Sequence, residues 1–456
     1  MRKFVQSVKG SRFARDSTVL QAGSLVLAGS GLFAALALSH ILGASKLGEY
    51  YLSSAVFGAF WFALNLGVAS VATSRVAMAS ESGDLDEVRD WMAFSVEATL
   101  IMGSLCVLLC WWTLPSFLDW WFAGDSDLAQ RVAQFSVLLA LEPLIGLPRL
   151  LCGVGFQGQR RMASLTRMEN VQEFSRAGLV IAGAFWTDSV MGAVIGQLVA
   201  AVCGIGVALH FYHKERSKDG RLPAFLSVLG RIGKVRIRGR WGLGVRMGLV
   251  RSIDAYAVQV LPAMVLGRYG STDLVTYLRV AQRFVHVLKL FMAGVGRTGF
   301  AALSAAGKDP DSRRLGHVYR QTSLIGGVCV IVTSLGLLPF LPWFLDRFWP
   351  SDFEEPVLSF VLIFLPGVWL MGFSVVNDVF YLITDRLHVG ILISTVSFIC
   401  LVPVFFVMAH LMPEKGIAIA LSLTYSTSIV HVIYAFIWLR KRQQPSALEN
   451  NSVQAS

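Results

Sequence analysis

The chain has 456 residues, of which 55% are hydrophobic and 15% are charged, and its mean hydropathy is +0.60. Soluble proteins have about 45–50% apolar and about 25% charged residues, so the composition excludes an ordinary soluble protein and a disordered or collagen-like chain. The 40 Lys and Arg against 29 Asp and Glu give a net charge of +11. Nucleic-acid-binding proteins concentrate such a surplus on polar surfaces, so here it indicates a membrane.

Apolar stretches of membrane-spanning length recur along the whole sequence. A spanning helix needs about 20 mainly apolar residues, and a window of that size finds about twelve candidates. They lie near 19–42, 50–72, 93–114, 130–152, 171–187, 190–211, 241–266, 274–300, 321–341, 357–380, 389–410 and 416–439. The sequence therefore predicts an all-α polytopic membrane protein with about 12 transmembrane helices.

The Lys and Arg residues between these stretches predict the orientation. With the N-terminus inside, roughly 27 cations fall in cytoplasmic segments and about five fall outside, which follows the positive-inside rule. We therefore expect both termini on the cytoplasmic side.

A basic segment near the middle divides the chain into two halves of about six spans. An even number of spans makes both halves enter the membrane in the same direction, as parallel repeats do. A local match at Leu42-Gly43 and Leu266-Gly267 supports such a repeat. We predict a six-helix lobe over 1–211, a cytoplasmic linker over 212–240, a second six-helix lobe over 241–439, and a polar cytoplasmic tail over 440–456. Two packed lobes would enclose a central cavity.

The connecting loops argue against an enzyme. We find no P-loop, no G-x-S-x-G and no H-E-x-x-H motif, and the predicted outer connections are all about 15 residues or shorter. The six cysteines all fall within predicted spans and read as small apolar residues. We therefore expect no catalytic residues, no metal site and no cofactor.

Eight cations lie inside the predicted spans. A cation at mid-membrane costs about 2.5–3.5 kcal/mol, so each must reach the interface, form an ion pair or face water. Arg149 and Arg297 lie near inner ends and are expected to snorkel. Arg176 has Glu173 three residues earlier, which favours an ion pair. The others are Arg246, Arg251, Arg279, Arg283 and Lys289.

The span near 274–300 carries a basic stripe. Arg279, Arg283 and His286 follow i, i+4, i+7 spacing, so they share one helical face. Arg297 returns to that face, and Lys289 lies on its flank. A basic stripe cannot face lipid, so we expect it to line a wet cavity that accepts an anion, although His286 fits a packed core position as well.

Acidic residues leave a second interpretation of this stripe open. Its cations could instead pair with Glu97, Asp254 or Asp378 across the lobe interface. The preceding span adds Arg246 and Arg251 to the candidate substrate-binding cations. Arg251 and Asp254 are three residues apart, so Asp254 is a candidate site for H⁺ or Na⁺ coupling or part of an inert salt bridge. Glu97 and Asp378 complete the candidate ion-coupling carboxylates.

Short motifs resemble one family of exporters. The stretch Leu42-Gly43-Ala44-Ser45-Lys46-Leu47-Gly48-Glu49-Tyr50-Tyr51 resembles the outer turn between the first two helices of polysaccharide repeat-unit flippases. These belong to the multidrug/oligosaccharidyl-lipid/polysaccharide exporter superfamily. Asn65-Leu66-Gly67 before Arg75, Gly155-Phe156-Gln157-Gly158-Gln159-Arg160-Arg161, and the turn from Leu266 to Ala281 are similar to the family as well.

The resemblance implies a function. Such flippases move undecaprenyl-pyrophosphate-linked oligosaccharide across the bacterial inner membrane by alternating access, for O-antigen, capsule or exopolysaccharide synthesis. Basic cavity residues would contact the pyrophosphate or acidic sugars, and a polysaccharide polymerase would be a partner. The matching helix of the first lobe, residues 50–72, has no charged residue. We therefore do not expect a cavity that both lobes line symmetrically. The alternatives are a cation-coupled drug or metabolite exporter of the same superfamily, and a membrane glycosyl polymerase or ligase.

Overall fold

The computed structural model describes residues 12–65, 67–122, 124–218, 220–234, 252–307 and 312–443. Within these ranges the chain is almost entirely helical and has no strand. The first half contains α1 (Arg12–Leu64), α2 (Val68–Ser82), α3 (Leu85–Trp121), α4 (Ser126–Leu139), α5 (Glu142–Ile145), α6 (Leu147–Gly158), α7 (Met162–Thr187), α8 (Val190–Lys218) and α9 (Phe225–Leu229).

The second half begins with helical residues 252–255 and a π-helical turn, Tyr256–Val260. It continues with α10 (Leu261–Tyr269), α11 (Thr272–Gly307), α12 (Ser312–Leu337), α13 (Phe340–Phe348), α14 (Glu354–Gly372), α15 (Asn377–Ile383), α16 (Leu387–Leu411), α17 (Gly416–Ser426) and α18 (Ser428–Gln443). Both halves are thus all-α, as the sequence predicts.

Helix α1 contains the first two predicted spans. Its backbone breaks at Gly43, where φ is 71° and ψ is 176°, a conformation that glycine adopts without the steric penalty of a Cβ. The break lies at the turn that the sequence places between residues 42 and 50. One uninterrupted helix of 53 residues would be far longer than a bilayer requires, so α1 consists of two arms.

Among the described residues, eight segments are long and apolar enough to cross a membrane by length and composition. They are Ala22–Leu64, Leu85–Trp121, Ser126–Ile145, Val190–Lys218, Arg313–Leu337, Glu354–Ile383, Leu387–Leu411 and Gly416–Arg442. The predicted spans near 171–187 and 274–300 form α7 and α11, whose charged residues lower their hydropathy. The predicted span near 241–266 is described only from residue 252. The count of twelve spans stays a prediction.

Glycines bring α7 and α8 into backbone contact. A Cβ on Gly183 would overlap the carbonyl oxygen of Gly192, and a Cβ on Gly196 would overlap that of Leu179. Small residues at such positions let membrane helices approach closely. The resulting helix pair packs against α1 and forms one wall of the first half.

Among the described residues, the two halves share hydrophobic cores at one end of the bundle. We call the end that carries most of the Lys and Arg residues the basic end. The turn at Gly43 lies at the other end, which we call the opposite end, and the shared cores are there. At the opposite end, one core joins Leu42 and Leu47 of the first half to Leu266 and Leu278 of the second. At the basic end, one core contains residues of 68–228 alone and another contains residues of 303–439 alone. The described halves are therefore packed together at the opposite end and have separate cores at the basic end.

Candidate functional site

A polar cavity of about 760 Å³ lies within the first half. Its walls come from the second arm of α1 and from α2, α3, α5, α6, α7 and α8. The polar lining residues are Asn65, Ser70, Thr73, Ser74, Thr99, Glu142, Arg149, Gln157, Glu169, Gln172, Arg176 and Gln197. Two arginines and two carboxylates among them give the cavity both signs of charge.

Helical spacing explains how these side chains come to share one space. Glu142, Gly146, Arg149, Gly153 and Gln157 recur every three or four residues along α5 and α6, and all five line the cavity. Residues at such intervals share one face of a helix. Arg149 therefore faces the cavity, where the sequence analysis expected only snorkelling to the interface.

Hydrogen bonds order one wall of the cavity. The hydroxyl of Tyr50 donates to Oε1 of Gln197, and Nε2 of Gln197 donates to Oε2 of Glu142 at 2.6 Å. Nearby, Nε2 of Gln172 donates to the carbonyl of Gly204 at 2.9 Å. The Tyr50–Gln197–Glu142 chain connects α1 to α8 and α5, and it fixes the orientation of the Glu142 carboxylate.

Arg176 and Glu173 form the ion pair that their spacing favours. Nε of Arg176 donates to Oε2 of Glu173 at 2.9 Å, and a second contact joins Nη2 to Oε1. Glu173 also interacts electrostatically with Arg149 and with Arg283 of the second half. Glu173 therefore lies within electrostatic range of three guanidinium groups from both halves. The cavity carboxylates Glu142 and Glu169 in turn act on Arg176 and Arg149.

Arg283 lies at the interface between the halves. It lies within electrostatic range of Tyr51 of α1. A Cβ on Gly31 of α1 would lie 2.5 Å from Nη1 of Arg283, so the guanidinium packs directly against the α1 backbone. The absence of a side chain at Gly31 provides the space for it.

Arg279 and Lys289, two further cations of the stripe, contact neutral groups among the described residues. Nη2 of Arg279 donates to the carbonyl of Gln259 in the π-helical turn at 2.8 Å, and Nη1 donates to Gln282 at 3.1 Å. Nζ of Lys289 lies 4.7 Å from the ring centroid of Tyr425. Among the described residues, no ion pair within 4.0 Å involves Arg279, Arg283 or Lys289. His286, the third member of the stripe, is exposed.

The candidate ion-coupling carboxylates do not form one group. Asp254 is exposed and interacts electrostatically with Lys289 and Asp378. Glu97 instead accepts a hydrogen bond from the backbone N–H of Gly233 at 3.1 Å, so it holds a first-half loop. Arg246 and Arg251 lie outside the described residues, as does the side chain of Arg297.

An apolar groove of about 270 Å³ lies beside Arg283 on α11. It runs between α1, α11, α12, α13 and α14. Its lining includes Leu32, Phe284, Leu288, Leu341 and Phe344. Phe284 directly follows Arg283 in the chain. The cation of Arg283 and the groove-lining ring of Phe284 therefore lie on adjacent faces of α11.

Polar contacts join the halves at the opposite end. Oγ1 of Thr276 donates to the carbonyl of Ala44 at 2.7 Å, and the hydroxyls of Ser45 and Thr272 lie 3.1 Å apart. These contacts seal the end at which the two halves share a core.

An aromatic cage adds to this seal. The guanidinium of Arg268 lies 5.5 Å from the ring of Trp120 and 5.0 Å from that of Trp121. Nε1 of Trp121 also donates to the carbonyl of Met264 at 3.2 Å. The cage therefore fastens α3 of the first half to α10 of the second.

The sequence analysis missed the cavity residues Glu142, Glu169, Gln172 and Gln197. A signal was present, since Glu169, Gln172 and Arg176 are spaced i, i+3, i+7 and so mark a polar face at the start of the predicted span near 171–187.

Comparison with known proteins identifies the family. The family model described as "Polysaccharide biosynthesis protein" matches residues 13–300, which is more than half of the chain. No curated protein matches the chain.

Solved structures show the same fold. A multidrug resistance MATE family transporter of the MOP superfamily, in an inward-facing conformation, is 16% identical with a TM-score of 0.68, over 93% of this chain and 95% of that one. The eukaryotic MATE transporter AtDTX14 is 13% identical with a TM-score of 0.67, over 95% and 98%. A MOP superfamily transporter from Pyrococcus furiosus, described as having a binding pocket of reverse polarity, is 15% identical with a TM-score of 0.58, over 96% and 97%.

The chain belongs to the polysaccharide biosynthesis protein family and has the two-lobed fold of the MOP superfamily. It is a multi-pass membrane protein, as the sequence analysis predicts.

Proposed function

We propose that this protein is a transporter that moves a lipid-linked oligosaccharide with an anionic phosphate linkage across the bacterial inner membrane, for surface polysaccharide synthesis. The observation that carries the proposal is the position of Arg283 between the halves, beside an apolar groove and within electrostatic range of Glu173 near the polar cavity. A lipid-linked oligosaccharide has three chemically distinct parts, and these features match them one by one.

The sugars need a polar chamber of sufficient size. The cavity of about 760 Å³ is within the range of ligand pockets, which is roughly 300–1,000 Å³. Its amide, hydroxyl and carboxylate side chains can exchange hydrogen bonds with sugar hydroxyls. Gln197 and Glu142 are already oriented by their mutual hydrogen bond.

The phosphate linkage needs cations that are not fully neutralised. Arg283 forms no ion pair within 4.0 Å among the described residues, and like Arg149 and Arg176 it lies within electrostatic range of Glu173. An arginine guanidinium binds phosphate with two parallel hydrogen bonds, which makes it a strong partner for this group. Arg279 adds a further cation one helical turn from Arg283 and has no ion pair to a described carboxylate.

The prenyl chain needs an apolar path. The groove beside Arg283 is lined almost entirely by apolar side chains, including Phe284 and Leu288. A phosphate at Arg283 would therefore leave the attached prenyl chain next to the groove.

The packing of the halves supports loading from the basic end. The halves share a core at the opposite end and have separate cores at the basic end. With the basic end cytoplasmic, as the positive-inside rule predicts, this arrangement suits uptake from the cytoplasmic leaflet, followed by alternating access. Asp254 and Asp378 remain our candidates for H⁺ or Na⁺ coupling, and a polysaccharide polymerase remains the expected partner.

Complementation of a deletion strain tests the proposal. We expect Arg283→Ala, or Arg279→Ala with Arg283→Ala, to abolish surface polysaccharide while the amount of protein in the membrane stays normal. Arg347→Ala is the matched control, because Arg347 is an exposed cation at the end of α13. Unchanged polysaccharide in the Arg283 variants would contradict the assignment, and accumulation of lipid-linked repeat unit in the deletion strain would support it directly.

A cation-coupled drug or metabolite exporter is the second candidate. The carboxylates of Glu142 and Glu169 in the cavity favour it, since they could bind a cationic substrate. A deletion strain that is sensitive to cationic dyes but keeps its polysaccharide would favour this function over the first.

A further inference from the structure

A second basic cavity lies at the basic end of the second half. Its volume is about 480 Å³. Its lining consists of Arg386, Tyr434, Ile437, Trp438, Lys441 and Arg442, and it shares no residue with the polar cavity of the first half. Of the six lining residues that the structure describes, three are cations and none is a carboxylate.

Two elements bring these cations together. Arg386 lies in the turn between α15 and α16, where it precedes the first residue of α16. Tyr434, Trp438, Lys441 and Arg442 belong to α18, and their spacing places them on one side of that helix. Basic residues in the last turn of a helix are common because they complement its dipole. That tendency accounts for Lys441 and Arg442, but it does not account for Arg386 beside them.

The aromatic residues hold two guanidinium groups over one ring. The guanidinium of Arg386 lies 5.7 Å from the ring centroid of Trp438, and that of Arg442 lies 5.2 Å from it. Nη1 of Arg386 also donates to the hydroxyl of Tyr434 at 3.3 Å. A guanidinium can bind phosphate with two parallel hydrogen bonds, so these two side chains can hold a phosphate group at the cavity.

The N-terminus of α16 adds to the positive potential. This helix has 25 residues, and no side chain caps its first turn. The N-terminal end of a helix carries a partial positive charge, and here Arg386 stands at that end.

An apolar face leads away from the cavity along α18. Val430, Ile433 and Ile437 are 44%, 51% and 51% exposed, and they recur every three or four residues on one face. Ile437 also lines the cavity. A soluble anion would make no contact with this apolar face, whereas the acyl chains of a lipid can pack against it.

We propose that this cavity binds the headgroup of an anionic phospholipid, with its phosphate between Arg386, Lys441 and Arg442 and its acyl chains along the exposed face of α18. Trp438 and Tyr434 suit the depth of the headgroups, where tryptophan and tyrosine are enriched in membrane proteins. Basic pockets on the cytoplasmic side of membrane proteins bind acidic lipid headgroups in this way. The site lies apart from the transport cavity, so it stands whatever cargo the protein carries.

Native mass spectrometry of the purified full-length protein tests the proposal. Dioleoyl phosphatidylglycerol is titrated as the anionic probe and dioleoyl phosphatidylcholine as the zwitterionic comparison. The test variant is Arg386→Gln/Lys441→Gln/Arg442→Gln. The control variant, Lys214→Gln/Arg216→Gln/Arg440→Gln, removes three exposed cations at the same end that do not line the cavity.

We expect one phosphatidylglycerol to bind more tightly than phosphatidylcholine. Each basic residue near an anionic lipid surface contributes roughly a factor of five, so the test variant should bind this lipid about 100-fold more weakly. The control variant should stay within about twofold of the unmodified protein. If the test variant is not monodisperse, Arg386→Gln alone should weaken binding by about fivefold.

Three results would overturn the proposal. Equal losses in the test and control variants would mean that the lipid is held by the general basic surface. Equal binding of the two lipids would exclude recognition of the headgroup charge. Displacement of phosphatidylglycerol by millimolar inorganic phosphate would identify a site for soluble phosphate instead.

Discussion

Gly48 gives the most direct test of how the two halves close on each other. It lies on the second arm of α1, where a Cβ would overlap the carbonyl oxygen of Thr272 of α11 and lie 3.0 Å from Thr272 Cβ. The obstacle is backbone, so no change of side-chain rotamer relieves it. Gly48→Ala must therefore push α1 and α11 apart at the opposite end.

The cost of this substitution falls on one conformation. Overpacking a closed interface costs typically 1–3 kcal/mol, and the clash disappears once the halves separate. An energy difference of that size shifts the ratio of two conformations about 5- to 150-fold. We expect Gly48→Ala to favour the form that is open at the opposite end by a factor in this range.

A buried reporter measures the shift. Thr276 is fully buried at this seal and donates to the carbonyl of Ala44. Thr276→Cys in a background without other cysteines should react slowly with a membrane-impermeant maleimide added outside, and Gly48→Ala should raise the labelling rate. Gly29→Ala is the matched control, because a Cβ on Gly29 meets nothing within 4 Å. Equal rates in the two variants would refute the proposed role of the Gly48 contact.

Three further substitutions test other contacts. Arg268→Gln removes the cation from its aromatic cage, where such contacts contribute about 0.5–2 kcal/mol, so the same cysteine reporter should label about 2- to 30-fold faster; an unchanged rate would mean that the cage does not hold the halves. Arg176→Ala leaves the partly buried Glu173 without its ion-pair partner and should lower the free energy of unfolding by about 1–3 kcal/mol. The double variant Arg176→Ala/Glu173→Ala should recover part of this loss. A double variant as unstable as the single one would contradict the cost assigned to the unpaired carboxylate. Gly196→Leu should separate α7 from α8 at a cost of about 1–3 kcal/mol and so lower the thermal unfolding temperature in detergent. A Cβ on Gly206 meets nothing within 4 Å, so Gly206→Leu should leave that temperature unchanged.

Local sequence patterns predicted much of the fold. Hydropathy located the helices because spanning segments must be apolar over about 20 residues. The Leu42-Gly43 turn was predicted between two spans, and the structure breaks α1 at Gly43. The pair of Arg176 and Glu173 followed from i, i+3 spacing, since both residues lie on one turn. Each of these features depends on neighbours within a few residues.

Long-range placement could not be predicted in the same way. The polar cavity collects side chains from seven helices, and hydropathy shows neither their mutual distance nor which faces meet. Glu97 illustrates the limit, because it was considered as a partner for the cations of α11. It instead accepts from the backbone N–H of Gly233, and the position of a backbone donor in a distant loop leaves no trace in composition or spacing.

The basic stripe on α11 was expected to line a cavity between the lobes. In the closed arrangement at the opposite end, Arg283 lies against the α1 backbone at Gly31. It is within electrostatic range of Tyr51 and Glu173. All three of these partners belong to the first half, whereas Arg283 belongs to the second. Any motion that separates α1 from α11 therefore removes the groups that now surround this charge. A desolvated cation without a partner is costly in free energy. An anion that stays bound to Arg283 would replace the lost partners and lower the cost of this motion. Binding of the cargo would therefore be linked to the change of conformation.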